Sequence, residues 1–448
     1  MKVLWLCNLM MPMIAEQLKL EASNKEGWLS GLASAILEKN GENGIELSVA
    51  FPAPGNLVSE GHDVCMHTIT VRGSRITCYG FREDVSRPEH YEKDLEERLR
   101  KIVDSAGPDL VHCFGTEYPH TLAMCRIFPR KERLLVSVQG LCTAIADSYF
   151  AGMPEKAVRS VTLRDRLRKD SIREQQRKFV MRGRTEVEAV RLAGNIAGRT
   201  EWDRAYIKEW NPGANYYNLN ETLRENFYGA VWREEDCIPH SIFISQGDYP
   251  IKGFHYMLQA MPEILEAFPD TKLYVAGNSL ISCSTLKDRL KRSGYGKYLK
   301  KLIDGNGLQD RVIMLGRLDG EQMKERYLMS HLFVCCSAIE NSPNSLGEAM
   351  LLGMPCVAAD VGGIPSLFTG GEDGMMYRGF RTGLNNDSNL EAISGRLAKS
   401  VIEIWKSRDK LDYFSKNARK HAEKNHNRER NYAKMTEIYT KMATESRE

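Results

Sequence analysis

Residues 331–360 read HLFVCCSAIENSPNSLGEAMLLGMPCVAAD, and they contain one complete strand–helix–strand pattern. An apolar run, HLFVCCSA, is followed by a polar loop, an apolar helical pattern and a second apolar run, PCVAAD. Strands as apolar as these, separated by a helix, are typical of a parallel sheet that is buried on both faces. The stretch therefore predicts one repeat of a doubly wound α/β domain.

The same alternation of apolar runs and helical patterns occurs in both halves of the chain. The first half contains the runs KVLWLCN, IELSVAFP, DLVHCFG and LLVSVQG, and the second contains HSIFISQG, TKLYVAG and RVIMLG. A chain of 448 residues is also too long for one ordinary core. We therefore predict two Rossmann-like doubly wound domains that face a cleft, at residues 1–225 and 226–415. The charged helical segment at residues 416–448 is predicted either to pack back on the first domain or to remain a solvated tail.

Composition argues against several classes of protein. The net charge of +3 is too mild to indicate nucleic-acid binding, and no apolar run is long enough to span a bilayer. The eleven cysteines form no C-x-x-C pair, which argues against a zinc site and indicates buried thiols in a reducing cytosol. The N-terminal segment lacks a signal-peptide cleavage site, so we expect a cytoplasmic protein.

The polar loop between the two apolar runs has the features of an anion site. Asn341 or Ser342 can cap a helix and Pro343 suits its first turn, so we expect the helix to begin here. Its start would present free amides at the carboxyl edge of the sheet, where ligands of open parallel sheets bind. Such amides suit a phosphate or a pyrophosphate, and they belong to Asn344, Ser345 and Leu346.

Glu348 lies about one turn into this helix, which is otherwise apolar on all sides. A helix of this kind is buried, and a buried carboxylate needs hydrogen-bond donors or a cation. Because helical side chains lean toward the N-terminus, Glu348 should point toward the amides, and Glu340 approaches the same place from the loop. Sugar hydroxyls would satisfy Glu348, and so would a structural ion pair with a lysine or an arginine.

Three further glycine-containing loops are expected at the same edge. They are VGGIPSL at residues 361–367, GDYPIKGF at residues 247–254, and NKEGWLSGL at residues 24–32. None of them contains G-x-G-x-x-G, which argues against a dinucleotide dehydrogenase. Together the loops predict a cleft between the two domains for a phosphorylated, hydroxyl-rich ligand.

On these motifs the chain resembles the retaining GT-B glycosyltransferases of family 4, often called group 1, over nearly its whole length. The most specific element is Glu-x7-Glu followed by A-M-x-x-G-x-P-x-V-A-x-x-x-G-G, at residues 340–363. Supporting matches are PDLVH at 108–112, GRTEWD at 198–203, the Lys-Gly pair at 252–253 and RVIMLGRL at 311–318. The first half is similar to bacterial members that build surface polysaccharides.

The resemblance implies an enzyme that transfers a hexose-type sugar, with retention, from a nucleoside diphosphate to a glycan or a lipid-linked glycan. UDP is the favoured nucleotide and GDP the next. The resemblance implies no cofactor and no metal, because a lysine and the helix dipole would neutralise the diphosphate. A nucleotide-sugar epimerase of the same fold and a non-catalytic glycosyltransferase-like subunit remain as alternatives.

The resemblance also implies roles for single residues. Glu340 would contact the donor sugar near the reacting face, and Glu348 would bind the ribose hydroxyls. Lys252 and the amides of the first helical turn would hold the pyrophosphate. The other donor contacts would be Gly27, which lets a first-domain loop approach the phosphates, Gly253, Asn344, Ser345, Leu346, and the pair Arg317 and Leu318 against the base.

Two positions depart from the family's pattern. Family members commonly carry an arginine five or six residues before the lysine, where this chain has Gly247 and Gln246. Either another cation substitutes, or Lys252 and the backbone amides carry more of the charge. Many members have a histidine where this chain has Gln139, which cannot act as an acid or a base but can hydrogen-bond a hydroxyl of the donor sugar. This replacement favours a front-face mechanism in which the leaving phosphate accepts the acceptor's proton.

Residues that would contact an acceptor are less sharply indicated. Glu117 and Tyr118 follow the run DLVHCFG and would either line an acceptor pocket or cap the next helix. Trp28 would be either a sugar-stacking platform or a core residue. His112 lies inside an apolar strand pattern, which favours a satisfied core histidine.

Residues 156–184 are strongly basic, with eleven Lys or Arg against three acidic residues. With apolar side chains interspersed, such a segment suits peripheral contact with the inner face of an anionic membrane, where a lipid-linked acceptor would be found. The alternative is a solvated helical face, and the spacing of the apolar residues fits both.

Overall fold

The structure is a computed structural model that describes residues 1–21, 27–39, 44–54, 57–281, 291–382 and 389–444. The chain forms two compact units. Unit 1 comprises Met1–Thr143, Phe179–Arg224 and His426–Glu448, and unit 2 comprises Ala144–Lys178 and Glu225–Asn425. This division differs from the domain boundaries drawn from the sequence, because residues 144–178 and 416–425 belong to unit 2.

Each unit contains one sheet of predominantly parallel strands. The strands of unit 1 are β1 Lys2–Cys7, β2 Glu46–Pro52, β3 Val64–Val71, β4 Ser74–Phe81, β5 Leu110–Phe114, β6 Leu134–Ser137, β7 Asn195–Gly198 and β8 Asn215–Asn218. Those of unit 2 are β9 Ile238–Ile244, β10 Lys272–Ala276, β11 Val312–Gly316, β12 Ser330–Cys335, β13 Cys356–Asp360 and β14 Met375–Arg378.

The strand orders are those of doubly wound sheets. In unit 1 the order is β3-β4-β2-β1-β5-β6-β7-β8, and the neighbouring strands are parallel except for the β3–β4 hairpin. In unit 2 the order is β11-β10-β9-β12-β13-β14, with parallel neighbours throughout. The central strands are buried on both faces, as their apolar runs predict. The predicted pair of Rossmann-like α/β sheets is thereby confirmed.

Helices connect and cover the strands. They are α1 Pro12–Gln17, α2 Gly27–Glu38, α3 Asp94–Ala106, α4 Pro119–Ile127, α5 Cys142–Ser148, α6 Glu155–Val158, α7 Leu163–Arg168, α8 Ile172–Leu192, α9 Glu201–Trp210, α10 Phe254–Ala267, α11 Gly294–Gly305, α12 Gly320–Leu328, α13 Asn344–Leu352, α14 Leu390–Lys406, α15 Arg408–Asn425 and α16 Arg428–Thr444. Of the described helices, none is both long and apolar enough to cross a membrane.

The C-terminal helix α16 packs into the core of unit 1, so this part of the chain is not a solvated tail. The Tyr439 hydroxyl accepts a hydrogen bond from Trp5 Nε1 (3.0 Å) and lies 2.6 Å from His112 Nδ1. His112 Nε2 lies 2.7 Å from Ser137 Oγ, so both ring nitrogens have partners inside the core. Burial lowers the pKa of His112 to about 3. The histidine is therefore neutral and structural, as the sequence favoured.

The segment Ala144–Lys178 packs onto the helices of unit 2. The Ala151 carbonyl accepts hydrogen bonds from His255 Nε2 (2.8 Å) and from the Tyr256 hydroxyl (2.7 Å), both at the start of α10. Further along, the buried Asp165 carboxylate accepts from the Gly294 amide at 2.8 Å, at the start of α11. These contacts join residues more than 100 positions apart in the sequence, and therefore no local pattern predicts them.

Candidate functional site

Three loops of unit 2 meet at the carboxyl ends of the neighbouring strands β9, β12 and β13. The Ala338 amide donates to the Ile251 carbonyl at 2.7 Å, and the Gly363 amide donates to the Glu340 carbonyl at 3.0 Å. Gly253 has φ 73°, and a Cβ there would lie 1.8 Å from the carbonyl oxygen of Cys336. The loops thus touch backbone to backbone, at a distance that only glycine permits.

Lys252 and Glu340 form an ion pair where these loops meet. Lys252 Nζ lies 2.6 Å from Glu340 Oε1, which also accepts from the Ser337 hydroxyl at 2.7 Å. The Lys252 side chain is 26% exposed and that of Glu340 13%. Burial opposes the charged form of Lys252, but the charge and hydrogen bond of Glu340 outweigh it and raise the lysine's pKa. The site therefore holds a charged lysine whose charge is locally balanced.

Helix α13 begins beside this ion pair. It starts at Asn344, and the N-cap position expected for Asn341 or Ser342 is occupied by Pro343, which has no side-chain cap. The Leu346 amide donates to the Pro343 carbonyl at 3.0 Å, which leaves the amides of Asn344 and Ser345 as the better placed donors for an anion. The amides and the lysine stand at the same edge of one sheet.

Glu348 occupies the buried face predicted for it. Its side chain is 4% exposed, and every residue of α13 from Leu346 to Leu352 is buried. The helix is fixed at its first turn by the Tyr327 hydroxyl, which donates to the Ser345 carbonyl at 3.0 Å. The predicted burial of Glu348 is confirmed, and its orientation toward the amides stays a prediction.

Arg317 and Leu318 follow β11, on the other side of β9 from Glu340. Arg317 Nε donates to Asn278 Oδ1 at 2.8 Å, and Asn278 Nδ2 donates to Asp248 Oδ2 at 2.8 Å. This chain of hydrogen bonds links the loops that follow β9, β10 and β11. Because β10 separates β11 from β9, Arg317 begins about 10 Å from the strand that carries Lys252. Asp248 and Asn278 are not predicted from the sequence, since an aspartate and an asparagine in loops have many ordinary uses.

Packing explains why position 247, one of the two positions where family members carry an arginine, holds a glycine in this chain. A Cβ on Gly247 would lie 2.5 Å from Val275 Cγ1 and 3.1 Å from the ring of Phe254. A larger residue at position 247 would therefore collide with the neighbouring strand and with the first residue of α10. Packing in the core of unit 2 therefore excludes an arginine at position 247.

Gln139 lies at the carboxyl edge of the sheet in unit 1. Arg199 Nη2 donates to the carbonyls of Val138 (3.2 Å) and Gln139 (3.0 Å) and lies 3.4 Å from Gln139 Oε1. Arg199 Nη1 also forms a buried ion pair with Glu221 Oε1 at 2.6 Å. A cavity of about 20 Å³ adjoins these groups, large enough for a water molecule, and it is lined by Leu32, Phe114, Ser137, Val138, Gln139, Ala197, Arg199, Leu219, Asn220 and Glu221.

Glu117 holds the loop that contains Gln139. Its Oε1 accepts from the Gly140 amide at 3.0 Å, and its Oε2 accepts from Asn8 Nδ2 at 3.3 Å. Glu117 therefore does not cap α4, where Tyr118 is the N-cap residue without a side-chain cap. The Tyr118 ring stacks on His120, with centroids 5.6 Å apart. Both residues serve contacts within unit 1, and a role toward an acceptor stays a prediction.

Glu186, on helix α8, also contacts the end of this loop, and it is not among the residues predicted from the sequence. The fully buried carboxylate accepts from the Thr116 hydroxyl (2.8 Å) and from the amides of Cys142 and Thr143 (both 3.1 Å). Burial raises its pKa to about 7, although these hydrogen bonds favour the charged form. A single glutamate within a long charged helix gives no sequence signal for such a role.

Gly27 and Trp28 are the first two residues of α2, and the structure describes only their backbone. The contacts predicted for them stay predictions. In the ranges that the structure describes, no cluster of three or more His, Cys, Asp or Glu side chains is arranged to hold a metal ion.

Comparison with known proteins confirms the family resemblance over the second half of the chain. Residues 239–421 match the family model described as glycosyl transferases group 1. Spore coat protein SA of Bacillus subtilis is 26% identical over 192 residues, which cover 43% of this chain and 46% of that protein. N-acetyl-alpha-D-glucosaminyl L-malate synthase of Bacillus anthracis is 28% identical over 201 residues, 43% of this chain and 47% of the enzyme. The chain thus matches less than half the length of these relatives.

Solved structures confirm the GT-B fold over the whole chain. Sucrose-phosphate synthase from Thermosynechococcus elongatus has a TM-score of 0.66 at 16% identity and covers 99% of both chains. Anabaena HepE, solved in complex with UDP-glucose, has a TM-score of 0.64 at 17% identity and covers 98% of this chain and 100% of its own. Lys252, Glu340 and Glu348 all lie within the family match.

Proposed function

We propose that this chain, whose second half matches the group 1 glycosyl transferases, transfers a hexose-type sugar from a nucleoside diphosphate to a glycan acceptor with retention of configuration. The observation that carries the proposal is the Lys252–Glu340 ion pair at the carboxyl ends of β9 and β12, beside the start of α13. A cation, free amides and two acidic side chains at one sheet edge suit a ligand that is both a diphosphate and a polyol.

Each part of the donor would bind to a different group of the site, according to its charge and its hydrogen-bonding atoms. The diphosphate would accept hydrogen bonds from Lys252 and from the amides of Asn344 and Ser345, which lie at the positive end of the α13 dipole. The buried Glu348 would accept hydrogen bonds from the ribose hydroxyls. Glu340 would lose part of its contact with Lys252 and gain hydroxyl donors from the sugar. No metal is required in this arrangement, because the lysine and the helix start neutralise the leaving group.

The reaction would proceed on one face of the sugar. The bond from C1 to the diphosphate oxygen breaks, and its electron pair stays with the nucleotide. The acceptor oxygen forms the new bond to C1 on the same face, and its proton passes to the departing phosphate oxygen. Lys252 would stabilise the charge that builds on that oxygen. Gln139 would hydrogen-bond the sugar without exchanging a proton, and Arg199 and Glu117 hold its loop.

UDP is the nucleotide we favour, followed by GDP. Among structural neighbours, HepE was solved with UDP and with UDP-glucose, and the pneumococcal O-GlcNAc transferase GtfA with UDP and GlcNAc. The acceptor we propose is a glycan or a lipid-linked glycan of surface polysaccharide synthesis, met at the inner face of the membrane.

A panel of nucleotide sugars tests the proposal. Donor binding is followed by thermal shift, slow donor hydrolysis by release of free nucleotide, and the anomeric configuration of the product by NMR. We expect Glu348→Ala to weaken donor binding about 30-fold, since a hydrogen bond to a charged group contributes about 2 kcal/mol. Glu325→Ala, an exposed glutamate on α12, is the matched control and should change nothing.

Two results would overturn the proposal. If no nucleotide sugar raises the melting temperature and Glu348→Ala leaves transfer unchanged, the site does not bind a donor. If UDP-sugars incubated without an acceptor yield an altered sugar and no free UDP, the chain is an epimerase of the same fold.

A further inference from the structure

An exposed apolar patch lies on the short helix α7, inside the basic segment. Leu163 and Leu167 are 66% and 77% exposed, and Val161, just before the helix, is 46% exposed. The two leucines are four residues apart, so they lie on one side of the helix, one turn from each other. Single exposed apolar residues are ordinary on protein surfaces, but these three form a cluster on one element. We call these three side chains the α7 patch.

The remainder of α7 is fixed so that the patch faces solvent. The Thr162 hydroxyl and the Asp165 carboxylate exchange hydrogen bonds with each other's backbone amides at 3.2 and 3.0 Å, which forms a capping box. Asp165, fully buried, also accepts from the Gly294 amide at 2.8 Å. A Cβ on Gly294 would lie 2.5 Å from the Ser160 carbonyl oxygen, so this contact requires glycine. The side of α7 that carries Asp165 therefore packs against the start of α11, and Leu163 and Leu167 remain exposed to solvent.

Basic side chains without local partners accompany the α7 patch. Arg166, Arg168 and Lys169 are all exposed, and neither Arg166 nor Lys169 forms an ion pair with any residue that the structure describes. Lys169 ends the helix with φ 51°, a left-handed conformation that glycine would adopt at lower cost. Arg164, in contrast, is paired with Asp170 at 2.7 Å. Positive charge is thus concentrated beside the apolar side chains.

We propose that α7 docks on an anionic lipid surface. The α7 patch would enter the interfacial region of the bilayer, and Arg166, Arg168 and Lys169 would lie among the anionic headgroups. Charge complementarity favours an anionic lipid surface, since Arg166, Arg168 and Lys169 are exposed beside the apolar side chains. The inference deepens the proposed function, because a lipid-linked acceptor would be met at such a surface. It rests on contacts outside the donor site, so it can fail independently.

Vesicle flotation of the full chain tests the proposal. Vesicles of phosphatidylcholine and phosphatidylglycerol in equal parts are compared with vesicles of phosphatidylcholine alone. We expect Leu163→Ser combined with Leu167→Ser to lower binding to the anionic vesicles at least about tenfold, through lost burial of two large apolar side chains. Arg166→Gln combined with Lys169→Asn should lower it about 25-fold, roughly fivefold for each charge. Asparagine is chosen at position 169 because it tolerates the left-handed conformation.

The control is Val231→Ser combined with Met329→Ser, two other apolar residues of unit 2 that are about half exposed, 50% and 47%. This variant should bind the vesicles like the unaltered chain. Absence of binding to the anionic vesicles would overturn the proposal, and so would binding that the leucine variant retains, which would indicate adsorption by charge alone. Donor hydrolysis without vesicles should be equal in all variants, so a failure of membrane docking is distinguishable from a failure of the proposed activity.

Discussion

Gly253 should be the least replaceable glycine of the proposed donor site. An alanine there would have φ 73°, a left-handed conformation that costs a residue with a Cβ about 1–2 kcal/mol. Its Cβ would also lie 1.8 Å from the Cys336 carbonyl oxygen, less than any real Cβ contact. Relief requires moving the end of β12 or the turn at residues 250–253, and overpacking of this kind costs about 1–3 kcal/mol. We therefore expect Gly253→Ala to lower the free energy of unfolding by roughly 2–5 kcal/mol.

Gly307→Ala separates the two contributions to that cost. Gly307 has φ 65°, and a Cβ there would have no atom within 4 Å. This variant should therefore show only the conformational cost of about 1–2 kcal/mol. Urea unfolding followed by fluorescence gives both values, and donor binding is measured on the folded proteins. Because the turn carries Lys252 into the site, Gly253→Ala should also weaken donor binding, whereas Gly307→Ala should not. Equal losses of stability in the two variants would show that close contact with the Cys336 carbonyl adds no cost at position 253.

Two further predictions concern buried charges of unit 1. For Glu186, burial raises the pKa from an ordinary 4.5 to about 7, so the folded state binds the proton more tightly than the unfolded chain. The contribution of Glu186 to stability should therefore be complete below pH 4.5 and be lost, about 3 kcal/mol in all, as the pH rises from 4.5 through 7. Glu186→Gln should remove this loss, so the difference in the free energy of unfolding between the two proteins should change by that amount between pH 4.5 and 8, and parallel pH profiles would contradict the assignment. Glu221→Gln leaves the buried Arg199 without its charge partner, so urea unfolding should show a loss of about 3–5 kcal/mol, and a loss below 1 kcal/mol would mean that the pair is dispensable.

The sequence predicted the parts of the molecule that depend on local pattern. Apolar runs separated by helices predicted both parallel sheets, and the apolar surroundings of Glu348 predicted a buried carboxylate. The place of three loops directly after apolar strands predicted that they would meet, because the carboxyl ends of neighbouring parallel strands share one edge. The fourth loop predicted there, at residues 24–32, lies partly outside the described residues. Each strand, helix and loop is set by residues close together in the chain, and the rule that parallel strands end at one edge then brings the loops together.

What the sequence did not predict depends on contacts between distant residues. Asp165 looks like one acid in a basic segment, although its carboxylate accepts from the Gly294 amide, and the Ala151 carbonyl accepts from His255 and Tyr256. Contacts of this kind join Ala144–Lys178 to unit 2. In the sequence Glu186 looks like one charge of an exposed helix. In the structure it accepts from the amide of Cys142, 44 positions earlier. The helix start at Asn344 differed from the expected cap because Pro343 itself takes the N-cap position. Periodicity carries no information about such pairings.

The ion pair between Lys252 and Glu340 has a consequence for which ligands the site retains. A bare phosphate that attracts Lys252 would strip the partly buried Glu340 of its counter-charge and offer its carboxylate nothing in return. A ligand that presents hydroxyl groups together with its phosphates repairs that loss. The same residues should therefore discriminate against free phosphate in the cell, and should hold a spent nucleotide less firmly than one that still carries its sugar. On this view the resting ion pair favours release of the product as much as it favours recognition of the donor.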